Sequence, residues 1–180
     1  MAVIMAYFIN IYNLMWCSMN KIIIITGTPG AGKTILAKKL ANAYSCWYLD
    51  VNEFIKKTGL RERYDKKKRC HIVDEKKLAE KIEGIIKFFR KEKIGLIIDS
   101  HLSHYINQKF IDICIVAVCD RKILYNRLKK KGYPENKIND NMECEIMEVC
   151  LEEAREFGYG KKIRIVDCSK KMDMEKIRRI

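Results

Sequence analysis

Residues 21–34, KIIIITGTPGAGKT, decide how this chain is read. Four consecutive isoleucines, Ile22 to Ile25, and Thr26 make a short β-branched run of the kind that forms a strand buried on both faces. Gly27 to Thr34 match G-x-x-x-x-G-K-[ST], and TILAKKLANAY (34–44) follows with helical periodicity. A glycine-rich turn between a strand and a helix is the context that this motif requires. Glycines let successive backbone N–H groups converge on phosphate oxygens, and the start of the helix adds its positive dipole end. Lys33 supplies a mobile positive charge for β- and γ-phosphates, and Thr34 offers its hydroxyl to Mg²⁺.

Outward from that loop, apolar runs alternate with amphipathic ones. Strands are expected at 46–51, 94–98, 111–118 and 162–167. Helices are expected at 74–92, with Asp74 as N-cap, and at 120–131, 135–157 and 172–180. Such alternation predicts an α/β fold of three layers around a five-stranded parallel sheet. Asp99 directly follows the run IGLII, which puts it at the carboxyl end of a strand, where open α/β sheets bind ligands. It is the candidate partner of Thr34 for Mg²⁺, directly or through water. His101, two residues on, is a candidate to share a water or hydroxyl near the γ-phosphate, whereas His71 and His104 read as surface or structural.

The formal net charge of +13 points to an anionic partner, although 26 Lys against 10 Arg, together with 27 Ile, also fits a compositional bias. Two clusters carry much of that charge. One comprises Lys56, Lys57, Arg61, Arg63 and the run Lys66 to Arg69; the other comprises Arg127, Lys129, Lys130, Lys131 and Lys137. Arg127 and Lys131 are four apart on one predicted helix and share a face. None of the eight cysteines has C-x-x-C spacing, so they read as small buried hydrophobes of a protein in a reducing cytoplasm. Residues 1–20 carry no charge but include Asn10, Asn13, Ser18 and Asn20, and they run almost directly into the first strand. We read 1–19 as an extension or a mis-assigned start rather than a membrane span, with a peripheral membrane or partner-binding helix as the alternative.

The loop GTPGAGKT, the D-x-H of Asp99 and His101, and the stretch ILYNRLKKKGYPENKINDNMECEIMEVCLEEA (123–154) together resemble the adenylate-kinase-like NTPases of the isoenzyme 6 or CINAP branch. The resemblance covers about residues 20–180. It implies a nucleotide-kinase domain with a nucleoside monophosphate (NMP)-binding insert at about 50–73 and a short lid at about 130–140. It implies phosphoryl transfer from ATP to AMP, with tolerance for other monophosphates, a slow ATPase, and a role in small-subunit rRNA maturation through the eleventh small-subunit ribosomal protein. It further implies that Gly30, Gly32, Lys33, Thr34 and Ile35 contact ATP, that Ser169 lies near the adenine, and that Lys56 faces the monophosphate. Lys56 and Lys131 stand where many members carry Arg, which keeps the charge and loses the planar fork.

Two readings of function follow. In the first, the chain is an ATP:NMP phosphotransferase. Lys33 and the loop amides hold the β/γ-phosphates, Arg127 packs near the adenine, Lys131 reaches the phosphates, and Lys56, Arg61 and Arg63 hold the acceptor. In the second it is an ATPase assembly factor acting on a ribosomal protein or pre-ribosome, with His101 positioning water. A kinase for a neutral metabolite fits less well, because such an acceptor would not need the basic insert.

Overall fold

A computed structural model of the protein describes residues 19–65 and 70–170. The residues 1–18, the basic run 66–69 and the whole of the expected terminal helix at 172–180 lie outside the described residues. Five strands, β1 (Ile22–Thr26), β2 (Trp47–Asp50), β5 (Leu96–Asp99), β6 (Ile113–Val118) and β7 (Ile163–Asp167), form one parallel sheet in the order β2-β5-β1-β6-β7. A separate antiparallel pair, β3 (Arg61–Asp65) with β4 (Cys70–Val73), lies between β2 and β5 in the chain.

The isoleucine run is the centre of the sheet because both of its faces are covered. Ile22 and Ile24 enter the cluster beneath α3 (Glu75–Lys91). Ile23 and Ile25 enter the opposite cluster, beneath α1 (Lys33–Tyr44). Alternation along one strand therefore feeds two cores, and each fully buried isoleucine contributes about 1.5–3 kcal/mol. The result is the expected three-layer arrangement with its five-stranded parallel sheet.

Two stretches differ from the expectation. Strand β2 stops at Asp50, because the Asp50 side chain accepts hydrogen bonds from the Asn52 and Glu53 amides and caps a helix, α2 (Val51–Thr58). The single helix expected at 135–157 is two, α5 (Glu135–Ile146) and α6 (Val149–Glu156), separated by Glu148 in the left-handed region at φ 52°. The break has a packing cause. Helix α5 buries Ile138 with Leu124 and Leu128 of α4 (Arg121–Lys130), whereas α6 buries Leu151 and Ala154 under the sheet. One straight rod would not reach both cores. Asp74 caps α3 as expected, its carboxylate accepting the Lys77 amide at 3.0 Å.

The turn out of β1 depends on Gly27. Its φ is 136°, and a Cβ there would lie 2.3 Å from the Ala117 carbonyl oxygen of neighbouring β6. Gly27→Ala combines backbone strain with an overlap against main chain that cannot yield. We expect a loss of about 2–5 kcal/mol, read as a fall in thermal midpoint of roughly 5–15 °C.

Candidate active site

The loop between β1 and α1 wraps the carboxyl edge of the sheet. Register pairing sets Asp99 beside it, since Ile25 of β1 is opposite Asp99 of β5. Asp99 is buried, with 4% of its surface exposed. Burial raises its pKa, against which the Thr34 hydroxyl, the Lys33 ammonium and the Tyr48 hydroxyl favour the charged form. The Lys33 pKa is lowered by burial, partly offset by the Asp99 charge. Its Nζ donates to the carbonyls of Gly27 at 2.6 Å and Thr28 at 3.0 Å.

These groups open onto a cavity of about 1160 Å³. Gly30, Gly32, Lys33, Thr34, Ile35, Asp99, His101, Arg127 and Lys131, each singled out in the sequence, line it together. Lys130, Tyr133, Lys137, Asp140 and Asn141 from the α4–α5 hairpin form a further wall. His101 is exposed on the cavity lining; desolvation, then the Lys33 and Lys137 charges, push its pKa down to about 4. The imidazole is therefore neutral near pH 7. His104 is structural: it is buried, with Nδ1 3.0 Å from the Thr26 hydroxyl.

Arg127 lines the cavity as expected but has a further commitment, while Ser169 and Lys56 meet a different placement. The Arg127 guanidinium is committed to protein carbonyls, donating to Ala31 at 2.8 Å and to Cys168 at 2.8 Å. It thus fastens the phosphate loop to the segment after β7. Ser169 does not line the cavity; its hydroxyl accepts from the Asp120 amide at 2.7 Å and bonds to Asp167. Lys56 is exposed on α2 and is absent from the lining, where Asn52, one turn earlier, is present. Arg61 and Arg63 belong to β3, and their side chains lie outside what is described.

Sequence reasoning missed Tyr48, Asp50, Asn52 and Asn141. Tyr48 was within reach of a period-of-two argument, since it leaves β2 on the same face as Asp50, the strand's carboxyl-terminal acid. The donor set fits Mg²⁺. A hydroxyl and a carboxylate at a phosphate cradle are hard oxygen ligands, and this cation commonly takes one or two protein ligands alongside substrate phosphates and water. Among the described residues no cluster of three or more His, Cys, Asp or Glu could hold a metal ion. No helix among them is long and apolar enough to cross a membrane.

The strand–loop–helix cradle, its acid on the adjacent strand and the order of the parallel sheet define a P-loop kinase fold. Residues 23–148 match the AAA domain family. The chain is 38% identical over 133 residues to the adenylate kinase isoenzyme 6 homolog of Dictyostelium discoideum, covering 74% of this chain and 73% of that protein. It is 38% identical over 134 residues to the homolog of Schizosaccharomyces pombe, covering 74% of each. It belongs to the adenylate kinase isoenzyme 6 family. A shikimate kinase from Acinetobacter baumannii, solved with shikimate, covers 93% of both chains with a TM-score of 0.56 at 14% identity, a likeness of fold alone.

The Arg127 bridge yields a test. Arg127→Lys keeps the charge but cannot reach both carbonyls with one planar group. We expect the variant to lose about 1–3 kcal/mol of stability in denaturant titration and to bind nucleotide less tightly, because the phosphate loop is no longer tied to the segment after β7.

Proposed function

We propose that the chain is an adenylate-kinase-type phosphotransferase that moves the γ-phosphoryl group of ATP to AMP and, less selectively, to other nucleoside monophosphates. In this reading residues 20–180 are the kinase domain, with an acceptor insert at about 50–73 and a lid at about 130–140. The observation that carries it is a large cavity lined by Lys33, Thr34 and Asp99 together with Lys130, Lys131 and Lys137. Its volume of about 1160 Å³ exceeds that of most single-ligand pockets, typically roughly 300–1,000 Å³, and suits a donor and an acceptor side by side.

The chemistry is positioning and charge neutralisation. Lys33 leaves its resting carbonyl partners for the β/γ-phosphates, while the loop amides hold the donor phosphates. Bound Mg²⁺, held by Thr34 and Asp99 directly or through water, supplies charge neutralisation at the phosphates. An oxygen of the acceptor phosphate then attacks the γ-phosphorus as the bond to the β–γ bridging oxygen breaks. The acceptor oxygen is already a nucleophile once aligned, so no covalent enzyme intermediate is needed. Lys130, Lys131 and Lys137 offset the charge brought together by two nucleotides.

A second activity is favoured by one observation: His101 is neutral and faces the cavity, so it can accept a hydrogen bond from a water. That arrangement suits a slow ATPase, which the family resemblance links to a ribosomal protein partner and small-subunit maturation. ATP consumption with Mg²⁺ and AMP, CMP, GMP, UMP or no acceptor separates the two. Dependence on a monophosphate supports the kinase. Hydrolysis that ignores every acceptor and rises with ribosomal protein or pre-rRNA supports the assembly role. Lys33→Ala should lower turnover by about 100-fold or more, and a variant at the normal rate would refute the assignment.

A further inference from the structure

Strand β2 brings a second carboxylate beside Asp99. Asp50 and Asp99 are cross-strand partners, and like charges directly opposite one another destabilise a pair of strands. Tyr48 lies two residues before Asp50 and leaves the strand on the same face. Its hydroxyl is 3.1 Å from Oδ2 of Asp99 and 3.4 Å from Oδ2 of Asp50. A phenol carries one O–H and donates to one acceptor at a time, and the shorter contact is to Asp99.

Both ends of this arrangement are anchored. Oδ1 of Asp50 accepts the amides of Asn52 at 2.9 Å and Glu53 at 3.2 Å, so the carboxylate is fixed by the helix it caps. The Tyr48 ring packs against the cluster that contains Ile23, Ile25 and Ile97, and Lys38 Nζ stands 5.6 Å from its centroid. Burial, followed by the two carboxylates, raises the phenol's pKa and keeps it a donor. The hydroxyl is delivered from a rigid strand to one oxygen of Asp99.

We propose that Tyr48 is a positioning residue for the magnesium carboxylate. Its hydroxyl holds one oxygen of Asp99, so the group keeps a single orientation and its remaining lone pairs stay available to the metal side. When Asp99 is drawn towards the cation, Asp50 is at hand as a second acceptor, and the hydroxyl is not left unsatisfied. The inference rests on the magnesium role given to Asp99 above.

The test is calorimetric and needs no turnover. The affinity of the full chain for a non-hydrolysable ATP analogue is measured with Mg²⁺ and with EDTA, for the unaltered protein and for Tyr48→Phe, which keeps the ring. The gain in affinity conferred by Mg²⁺ should fall about 3- to 10-fold, in line with loss of one hydrogen bond to a charged group, while the affinity in EDTA stays within about twofold. In an Asp99→Asn background the same exchange should cost nothing further, because coupled residues are non-additive. An undiminished magnesium gain in Tyr48→Phe, an equal loss in both conditions, or an equal effect in the Asp99→Asn background would overturn the inference. A protein that binds magnesium nucleotide but phosphorylates no acceptor would refute the kinase reading and leave this result standing.

Discussion

An ammonium and a carboxylate, both partly withdrawn from water, attract each other at the carboxyl edge of the sheet, and the rest of the site is arranged around them. Burying either charge alone is costly enough to neutralise it. The burial that lowers the Lys33 pKa and raises that of Asp99 is resisted by their mutual attraction and by hydroxyls from Thr34 and Tyr48. The pairing of β1 with β5 supplies the geometry, because it sets Ile25 opposite Asp99 at the point where the phosphate loop departs. The isoleucine run therefore does two things at once: it fills both cores and brings its neighbour's terminal acid level with the loop.

The loop itself is held from two sides. On one, Gly27 lies so close to the Ala117 carbonyl that no side chain fits. On the other, Arg127 donates to the Ala31 and Cys168 carbonyls and joins the loop to the segment after β7. Three segments far apart in sequence thereby fix one short backbone turn. A cradle that has to present several N–H groups to a phosphate in one geometry gains from such bracing, since its disorder would otherwise be removed on binding.

Much of this was legible before any coordinates. The strand–loop–helix motif, the alternation of apolar and amphipathic runs, and an acid directly after IGLII depend on local spacing, which a sequence displays. The structure brings Lys33, Thr34, Asp99, His101 and Lys131 to one cavity. What was not legible depends on the direction of a side chain. The spacing of Arg127 and Lys131 gives a shared helix face, but it does not say that the guanidinium of the first would turn back to protein carbonyls. The break at Glu148 was equally hidden, because it follows from two cores competing for one helical stretch. The partnership of Tyr48 with Asp99 needs the β2–β5 register, which no local pattern contains.

The placement of the cations also explains why a charge of +13 is a poor guide to how a ligand is gripped. Among the described residues Arg127 is the one arginine in the cavity lining, and its fork is spent on carbonyls. Within the described lining, neutralisation of phosphate charge falls to Lys33, Lys130, Lys131 and Lys137. An ammonium on a flexible stem supplies charge without a preferred plane, whereas a guanidinium fixes two oxygens at once. A wall of lysines thus accommodates phosphate in several orientations, and orientation has to come from the loop amides and from Asp99. In the proposed kinase reading the sheet edge therefore sets the register of the donor, and the lysines of the hairpin supply charge without imposing a plane.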